Sequence, residues 1–287
     1  MPPRVLALPV LAALLAATTG CGIARDALYA PRSAPIAIAD WTSSPPQTRT
    51  VATADGLSLQ GFFWPGAPGD RDIFVFFHGR GAHQGIGAKY AQYLRDRGDA
   101  VLVASYRGFG GNPGHPSRDG LLRDAAAFMA EARGLAGPGA RLWLVGHSLG
   151  AAVALQAACV DNRIAGVITI GAFADIREAA PSLARPFLPD RWDNRAAVRC
   201  VRAPVVILHG AQDDVVPPAS AAALLTNSGG PATAIRVVDW AHKPVMQTLG
   251  PWAAQAIETL AQGPATPLPP LPPQWQIQGV HDGGARP

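Results

Sequence analysis

Short apolar segments of strand length recur along the chain between more polar stretches. They occupy residues 73–77, 100–104, 142–145, 166–170, 205–208 and 235–238. Segments that are apolar on both faces are typical of central strands in a parallel sheet covered by helices. Before them, Asp55-Gly56 separates two further strand-like segments, Val51–Thr53 and Leu57–Trp64, and this dipeptide is typical of a β-hairpin turn.

Helix-like stretches alternate with these strands. They lie near residues 85–97, 117–133, 149–160, 172–182, 218–227 and 243–261. A hairpin followed by six strand–helix alternations predicts one α/β domain over residues 48–262, with a mostly parallel, twisted sheet and helices on both of its faces. No second domain is needed to account for the chain.

The first 21 residues have the pattern of a signal peptide. Arg4 precedes an uncharged apolar run from Val5 to Ala17, which as a helix of roughly 20 Å is too short to cross a bilayer core of about 30 Å. Thr18-Thr19-Gly20-Cys21 resembles a bacterial lipobox, with Thr18 where Leu is usual. We therefore expect an exported cell-envelope lipoprotein, held on a membrane surface by lipid on Cys21. Cleavage without lipid attachment would instead leave a periplasmic or secreted protein.

Two proline-containing segments flank the predicted domain. Residues 22–47 contain four prolines among alanines and serines and predict a tether. Residues 263–287 include the run Pro-Leu-Pro-Pro-Leu-Pro-Pro and lack aliphatic periodicity. Such a composition favours polyproline II, so we expect this segment to be a solvated, disordered tail.

Composition excludes several classes of protein. Hydrophobic residues make up 48% of the 287 residues and charged residues 15%, which supplies a core and excludes a disordered chain. The net charge is +4, but the arginines are scattered, so no basic patch indicates a nucleic-acid partner. Three cysteines without a Cys-x-x-Cys pattern predict neither a zinc site nor a disulfide scaffold.

A G-x-S-x-G motif, with Ser148 between Gly146 and Gly150, lies between a predicted strand and a predicted helix. A serine hydroxyl is a weak nucleophile, so it has to be exposed on a sharp turn beside a base and near donors for an oxyanion. The flanking glycines let the strand and the helix approach closely, and the helix N-terminus adds partial positive charge. The motif therefore predicts Ser148 as a nucleophile.

The remaining members of a catalytic triad should follow this serine in the order acid, then histidine. Of the later histidines, His281 falls in the predicted tail and His209 at the end of a strand. His242 follows the last predicted strand, where a loop returns over the carboxyl edge of the sheet. We therefore predict His242 as the base.

Two carboxylates are the main candidates for the acid of the triad. Asp213 and Asp214 both lie just beyond the end of a strand, where open α/β sheets have their sites. Asp239 is too close to His242 in the chain to reach it from a separate strand end. Asp213 is the preferred candidate.

An oxyanion hole in such a site requires two backbone N–H groups. One belongs to the residue after the nucleophile, Leu149. The other should come from the loop His78–Ala82, directly after the strand 73–77, and Arg80 is the candidate donor. The side chain of Arg80 would meet an anionic group or point into solvent, and the sequence leaves both open.

Together these motifs resemble the small-cap branch of the α/β-hydrolase-fold serine hydrolases, which includes protein depalmitoylases and bacterial serine aminopeptidase-like enzymes. The resemblance covers residues 50–260 and rests on Thr53-Ala-Asp-Gly56, Phe77-His-Gly79, Ser105-Tyr-Arg-Gly-Phe-Gly-Gly-Asn-Pro-Gly114, the G-x-S-x-G motif and His209-Gly-x-x-Asp213. It implies an α/β-hydrolase fold with a minimal cap. In this family the acid is the Asp four residues after the histidine of the last motif, which implies Asp213. The family's glycine-rich approach to the catalytic histidine is replaced here by Asp-Trp-Ala.

The length of the cap bears on the substrate. About thirty residues, 172–203, separate the strand after the serine helix from the strand before Asp213, which is too few for a full lid domain. An open site suits acyl chains on large or surface-bound substrates. Phe109, Phe173, Phe187 and Trp240 are candidates for the lining of an acyl groove, with ordinary core packing as the alternative.

Cys159 and Cys200 would both lie at the amino edge of neighbouring strands, opposite the predicted site. An exported protein permits a disulfide between them. The alternative is two separate buried thiols, and the sequence does not decide between the two.

These observations lead to a functional expectation. We expect an exported serine hydrolase that acts on esters or thioesters through an acyl-enzyme on Ser148, with a small-molecule or lipid acyl substrate and no metal or organic cofactor. An aminopeptidase-like amide hydrolase would need a site for an amine terminus, and no acidic cluster near the triad suggests one. The alternative from another class is a catalytically idle hydrolase scaffold used for binding.

Overall fold

The computed structural model describes residues 22–31, 44–95, 97–263 and 266–283, and its strands form one nine-stranded sheet. The strands are β1 (Gln47–Ala52), β2 (Ser58–Trp64), β3 (Asp72–Phe77), β4 (Ala100–Ala104), β5 (Arg141–His147), β6 (Ile164–Ile170), β7 (Val205–Gly210), β8 (Pro231–Val237) and β9 (Trp275–Asp282). Their order across the sheet is β1-β2-β4-β3-β5-β6-β7-β8-β9. Strands β3 to β8 pair in parallel, whereas β1, β2 and β9 pair antiparallel at the two sides. The predicted mostly parallel sheet and its leading hairpin are confirmed.

Helices cover both faces of this sheet. They are α1 (22–29), α2 (Gln84–Ala91), α3 (Arg118–Ala136), α4 (Leu149–Val160), α5 (Ile176–Ala179), α6 (Asn194–Cys200), α7 (Ala219–Asn227) and α8 (Met246–Gln262), with 3₁₀ turns at Gln92–Arg95 and Ser182–Phe187. Strand β3 shows why residues 73–77 are all apolar, since the two faces of the strand pack in different cores. Val75 belongs to the core that contains Phe128 of α3, whereas Phe76 belongs to the opposite core with Trp252 of α8.

The cap differs in detail from the sequence-based expectation. The helix predicted near 172–182 is limited to the single turn α5, because Pro181 cannot donate a helical hydrogen bond and a 3₁₀ turn follows it. Helix α6, which the periodicity does not predict, begins after Asp193, whose carboxylate accepts a hydrogen bond from Ala196 N at 3.0 Å.

The predicted tether over 22–47 is wrong for its first part, because α1 packs on the domain. Tyr29 is fully buried, and its hydroxyl donates to the carboxylate of Asp190 at 2.8 Å. Gly81 N–H donates to Tyr29 O at 3.1 Å, which joins this segment to the loop after β3. Residues 32–43 lie outside the described residues, as does the predicted signal peptide over 1–21 with Cys21. Within the described ranges, no helix has both the length and the apolar character needed to cross a bilayer.

The prediction of a disordered tail over 263–287 is wrong for residues 275–282, which form β9 along β8. Trp275 is buried, with its ring 5.3 Å from that of Trp240 and 5.2 Å from that of Trp252. Because several prolines precede β9, composition alone does not predict this strand. His281, which we expected in the tail, therefore lies in the edge strand opposite Ala232.

Cys159 and Cys200 form a disulfide between the end of α4 and the end of α6. Their Cα atoms lie 5.1 Å apart, and 41 positions separate them in the sequence. A bond that closes a loop of this length contributes roughly 4 kcal/mol in the chain-entropy model. Of the two alternatives for these cysteines, the structure shows the bonded one.

Three carboxylates gather at the amino edge of the sheet, where β3 and β4 begin. Asp70, Asp72 and Asp99 have ligand-type atoms within 4.8 Å of one another. Asp72 accepts hydrogen bonds from Arg141 Nε and Trp143 Nε1, each at 2.7 Å. Burial, together with Asp70 and Asp72, raises the pKa of the Asp99 carboxyl to about 7 and outweighs the opposing effect of Arg97.

An ionised Asp99 is therefore expected to destabilise the fold. The carboxyl titrates at about 4 in the unfolded chain and at about 7 in the folded one. Between these values the folded chain holds the extra proton, so the free energy of unfolding falls as pH rises. The difference in the free energy of unfolding between Asp99→Asn and wild type should therefore shift in favour of the variant by about 1–4 kcal/mol between pH 4 and pH 8. Denaturant unfolding at the two pH values measures this gain, and an equal stability difference at both would contradict it.

Candidate active site

Ser148 lies on the sharp turn between β5 and α4. Its backbone angles, φ of 55° and ψ of −116°, fall outside the regions that residues other than glycine normally adopt. The surrounding contacts must therefore hold this backbone conformation. Those contacts need glycine on both sides. A Cβ on Gly146 would collide with the Gly150 carbonyl, and one on Gly150 would collide with the Phe77 carbonyl. The close approach explains the spacing of the G-x-S-x-G motif.

The structure brings Ser148, His242 and Asp213 together in one hydrogen-bonded row. His242 Nε2 lies 3.0 Å from Ser148 Oγ, and His242 Nδ1 lies 2.9 Å and 3.1 Å from the two carboxylate oxygens of Asp213. Asp213 follows β7 and His242 follows β8, at the same carboxyl edge of the sheet as Ser148. An ionised Asp213 only accepts hydrogen bonds, so Nδ1 carries the imidazole proton and Nε2 is free to accept from the serine hydroxyl.

The surroundings of Asp213 keep it ionised. Its carboxylate accepts hydrogen bonds from Val215 N at 3.0 Å and Val216 N at 2.8 Å, and it lies 3.2 Å from His209 Nε2. Burial raises the pKa of Asp213, but hydrogen bonds from His209, His242 and the Val216 N–H outweigh burial and hold that pKa well below its ordinary value.

The other residues considered for these positions lie elsewhere. Asp214 and Asp239 are exposed and His281 is in β9. His209 is buried on the far side of Asp213, where Nε2 also faces Val216 O at 3.1 Å.

Two histidines have roles in the site that the sequence did not predict. His147 Nε2–H donates to His242 O at 2.9 Å, which ties the loop of His242 to the serine turn. Burial, together with the neighbouring His242, lowers the pKa of His147 to about 4, so it is neutral near pH 7 and keeps a lone pair on Nδ1. His209 is the second such residue, through its contact with Asp213. His147 occupies a variable position of the G-x-S-x-G motif. His209 begins the His209-Gly-x-x-Asp213 motif, which served only to locate the aspartate.

The loop after β3 reaches the serine turn from the other side. A Cβ on Gly79 would lie 3.3 Å from Ser148 Cβ, so Arg80 begins directly beside the serine. Within the part of the chain that the structure describes, the N–H groups of Arg80 and Leu149 have no backbone acceptor. The Arg80 guanidinium is held by α1, because it donates to Ala27 O and Leu28 O at the end of that helix, each at 2.9 Å.

Ser148 opens into an apolar cleft of about 420 Å³. Helix α1, the cap and the loop after Asp213 supply its walls, which include Ala24, Ala27, Leu28, Phe173, Ile176, Ala184, Phe187, Leu188, Val215 and Val216. Of the four aromatic residues considered for an acyl groove, Phe173 and Phe187 line this cleft. Phe109 instead packs on Tyr106 and His78, and Trp240 packs on Trp275.

Relatives of this chain match it over most of its length. A model of the family "Serine aminopeptidase, S33" matches residues 69–192. An uncharacterized protein of Mycobacterium tuberculosis strain H37Rv is 32% identical over 227 residues, which cover 75% of this chain and 80% of that protein. Protein bem46 of Schizosaccharomyces pombe is 27% identical over 186 residues, which cover 60% of each chain.

Solved structures with the same fold include two esterases. The Pyrococcus furiosus esterase Pf2001 superposes with a TM-score of 0.64 at 16% identity, over 82% of this chain and all of that one. Est1E from Butyrivibrio proteoclasticus superposes with a TM-score of 0.59 at 16% identity, over 76% of this chain and all of that one. At such identities the likeness concerns the fold, whereas the relative at 32% identity and the family match across Ser148 carry the assignment. The chain therefore belongs to the serine aminopeptidase S33 family of α/β-hydrolases.

Proposed function

We propose that this protein is an exported serine hydrolase that cleaves carboxylic esters or thioesters through an acyl-enzyme on Ser148. The observation that carries the proposal is the hydrogen-bonded row from Ser148 through His242 to a buried, ionised Asp213, at the base of an apolar cleft. Serine, imidazole and carboxylate in this order are the arrangement that activates a serine hydroxyl for attack on an acyl carbon.

The first half of the reaction forms the acyl-enzyme. Ser148 Oγ attacks the acyl carbon while His242 Nε2 takes the hydroxyl proton, and Asp213 stabilises the resulting imidazolium. The N–H groups of Arg80 and Leu149 donate to the oxyanion of the tetrahedral intermediate. When the intermediate collapses, the bond to the leaving group breaks and His242 returns the proton to the departing alcohol or thiol.

Water completes the cycle. His242 takes a proton from a water molecule as the water oxygen attacks the acyl carbon, and a second oxyanion forms at the same two N–H groups. Collapse of this intermediate breaks the bond to Ser148 Oγ, which recovers its proton from His242, and the carboxylic acid leaves. Besides the substrate and water, these steps use the groups of the chain itself.

The lining of the cleft favours an acyl chain over a peptide with a free amine. Among the described residues that line it, Arg80 carries the one charged side chain, and this guanidinium is engaged with α1. An aminopeptidase needs a carboxylate to pair with the ammonium group of its substrate, and the cleft wall offers none within the described ranges. Apolar walls instead lower the free energy of a hydrocarbon chain by removing it from water.

Export and attachment through Cys21 are part of the same proposal. The apolar run Val5–Ala17 and the lipobox-like Thr18-Thr19-Gly20-Cys21 support it at the level of sequence. The disulfide between Cys159 and Cys200 supports it independently, because such bonds persist in oxidising compartments outside the cytosol.

Fluorophosphonate labelling of the full chain tests the activated serine. The reagent forms a covalent bond only with a serine whose proton has been taken up by a base, so we expect labelling of wild type and none of Ser148→Ala or His242→Ala. Ser182→Ala, which changes an exposed serine of the cap, is the matched control and should label like wild type. If the folded wild-type protein remains unlabelled, the chain is an idle hydrolase scaffold and the proposal fails.

A further inference from the structure

Large apolar side chains are exposed to solvent on α1 and on the cap, the elements that form walls of the cleft. Ile23 of α1 is 73% exposed. Leu183 and Phe187, in the 3₁₀ turn Ser182–Phe187 of the cap, are 87% and 76% exposed. We call these three residues the apolar rim. Groups of large exposed side chains of this kind mark sites of contact with other molecules or with membranes.

The rim lies on the two elements that wall the cleft, and of its three residues Phe187 lines the cleft. Ala24 and Ala27 of α1 line the cleft next to Ile23, and Ala184 and Phe187 line it next to Leu183. A molecule that enters the cleft between α1 and the cap therefore passes between the two elements that carry this rim.

Helix α1 is fixed firmly enough to act as one wall of a binding site. Arg25 Nε and the Tyr29 hydroxyl both donate to Asp190 in the cap, at 3.2 Å and 2.8 Å. Trp192 Nε1 donates to the Tyr29 hydroxyl at 3.1 Å, and Arg80 donates to the α1 carbonyls. These bonds connect α1 with the cap on one side and with the loop beside Ser148 on the other.

The proposed site of lipid attachment directly precedes α1 in the sequence. Cys21 directly precedes Gly22, the first described residue of α1, and one trans peptide bond separates neighbouring Cα atoms by about 3.8 Å. Ile23 follows two residues after Cys21. An acylated Cys21 would therefore hold the N-terminal end of α1, and with it the apolar rim, next to a bilayer.

Positive charge lies beside the rim. Arg177, Arg185 and Arg191 line a second cleft of about 310 Å³, which shares Ile176 and Leu188 with the cleft at Ser148. Its lining contains one carboxylate, Asp190, and Arg191 pairs with Asp193 at 3.5 Å, so the charge of this cleft remains net positive. Basic side chains next to an exposed apolar surface are attracted to the anionic headgroups of a membrane.

We propose that the apolar rim of Ile23, Leu183 and Phe187 docks on a lipid bilayer that contains anionic headgroups, and that the cleft takes its acyl chain from lipids in that bilayer. The docking is argued from the rim, the arginines and the place of Cys21 in the sequence, directly before α1. The identity of the substrate as a membrane-borne acyl lipid rests additionally on the proposed hydrolase function.

Site-specific labelling tests the docking without any turnover. In a full chain that carries Ser148→Ala, an environment-sensitive fluorophore is attached to Leu183→Cys or, as the control, to Ile277→Cys on β9, which is also exposed. The parent without an added cysteine gives the background from Cys21. On vesicles of phosphatidylglycerol and phosphatidylethanolamine with brominated acyl chains, we expect the bromines to quench the label at 183 and to leave the label at 277 unaffected.

Two outcomes overturn the docking. Equal quenching at both positions, or quenching at 277 alone, would show that another face meets the lipid. Failure of the labelled chain to co-sediment with these vesicles would show that the rim does not bind them. The same assay with phosphatidylcholine alone separates headgroup attraction from the apolar contact, and we expect weaker binding there.

Turnover of two substrates tests the entry of lipid. Neither Ile23 nor Leu183 lines the cleft, so Ile23→Ser/Leu183→Ser should hydrolyse a soluble short-chain nitrophenyl ester at the wild-type rate. Hydrolysis of an acyl ester embedded in the vesicles should fall about 10-fold or more, since two aliphatic groups no longer enter the bilayer. Val160→Ser/Ile277→Ser, which changes two exposed aliphatic side chains away from the rim, should keep both rates.

The two proposals fail in different ways. If wild type hydrolyses the soluble ester but the rim variant loses nothing on vesicles, the lipid-entry proposal is wrong and the hydrolase proposal stands. If wild type hydrolyses neither ester, the hydrolase proposal and the acyl-lipid substrate both fail, and the labelling result alone decides the docking.

Discussion

Asp213→Asn is expected to lower kcat for a soluble nitrophenyl ester about 10⁴-fold without unfolding the protein. The asparagine oxygen still accepts from the N–H groups of Val215 and Val216, so its amide NH₂ turns towards His242 Nδ1. An amide NH₂ group cannot accept a hydrogen bond from Nδ1–H, so the imidazole switches to the tautomer that carries its proton on Nε2. His242 then no longer accepts from the Ser148 hydroxyl. Steady-state kinetics with circular dichroism as a check on folding measures this loss.

The neighbouring aspartate is the matched control for this substitution. Asp214 follows Asp213 directly but is exposed, so Asp214→Asn removes the same charge from the same loop without touching His242. We expect its kcat within about 3-fold of wild type, in keeping with the small effects of surface substitutions. A loss of activity in Asp214→Asn equal to that in Asp213→Asn would mean that the charge of the loop, and not the hydrogen bond to His242, supports the reaction.

The core of the site follows from local rules that the sequence displays. A serine between two glycines at a strand–helix junction can only be accommodated as a sharp turn, and parallel strands bring the loops after β5, β7 and β8 to one edge of the sheet. Chain order alone then predicts a carboxylate and a histidine near Ser148. The structure adds that Asp213 rather than Asp214 makes the contact, because only Asp213 turns inwards to the Val215 and Val216 N–H groups.

The elements that sequence reasoning missed depend on distant contacts. Helix α1 has eight described residues, too few to be stable alone, and it is held by Asp190, which is 165 positions from Arg25. Strand β9 depends on pairing with β8 and on the packing of Trp275 between Trp240 and Trp252. Neither contact leaves a periodic signal in the segment itself, and nearby prolines favour the opposite interpretation.

Arg107, within the Tyr-Arg-Gly-Phe-Gly motif, joins three parts of the fold. Its guanidinium donates to Asp124 of α3 at 2.7 Å and 3.0 Å, and to Asp55 of the hairpin turn at 2.7 Å and 3.0 Å. Asp124 is completely buried, and the hydrogen bonds from Arg107 hold the pKa of Asp55 well below its ordinary value. The motif most typical of the family therefore has a structural role, because it fixes the hairpin and α3 to the end of β4.

Arg107→Leu is expected to reduce the free energy of unfolding by about 3–5 kcal/mol. The substitution leaves the Asp124 carboxylate buried without its cation, and desolvation of an unpaired charge costs more than the ion pair itself contributes. Urea unfolding at pH 7 followed by circular dichroism gives the change. Arg123→Leu is the matched control, because Arg123 also donates to Asp55 but is largely exposed. The free energy of unfolding of Arg123→Leu should fall by no more than about 1 kcal/mol.

A double variant separates an unpaired charge from lost packing. Arg107→Leu/Asp124→Leu removes both buried charges, so it should be more stable than Arg107→Leu alone, because no ionised group is left in the core. If the double variant is instead less stable than the single one by the full cost of a second core substitution, Asp124 contributes through its own packing. The cation would then not be what stabilises the hairpin against α3. Equal decreases in the free energy of unfolding for Arg107→Leu and Arg123→Leu would also contradict the prediction, because burial of the ion pair would then make no difference.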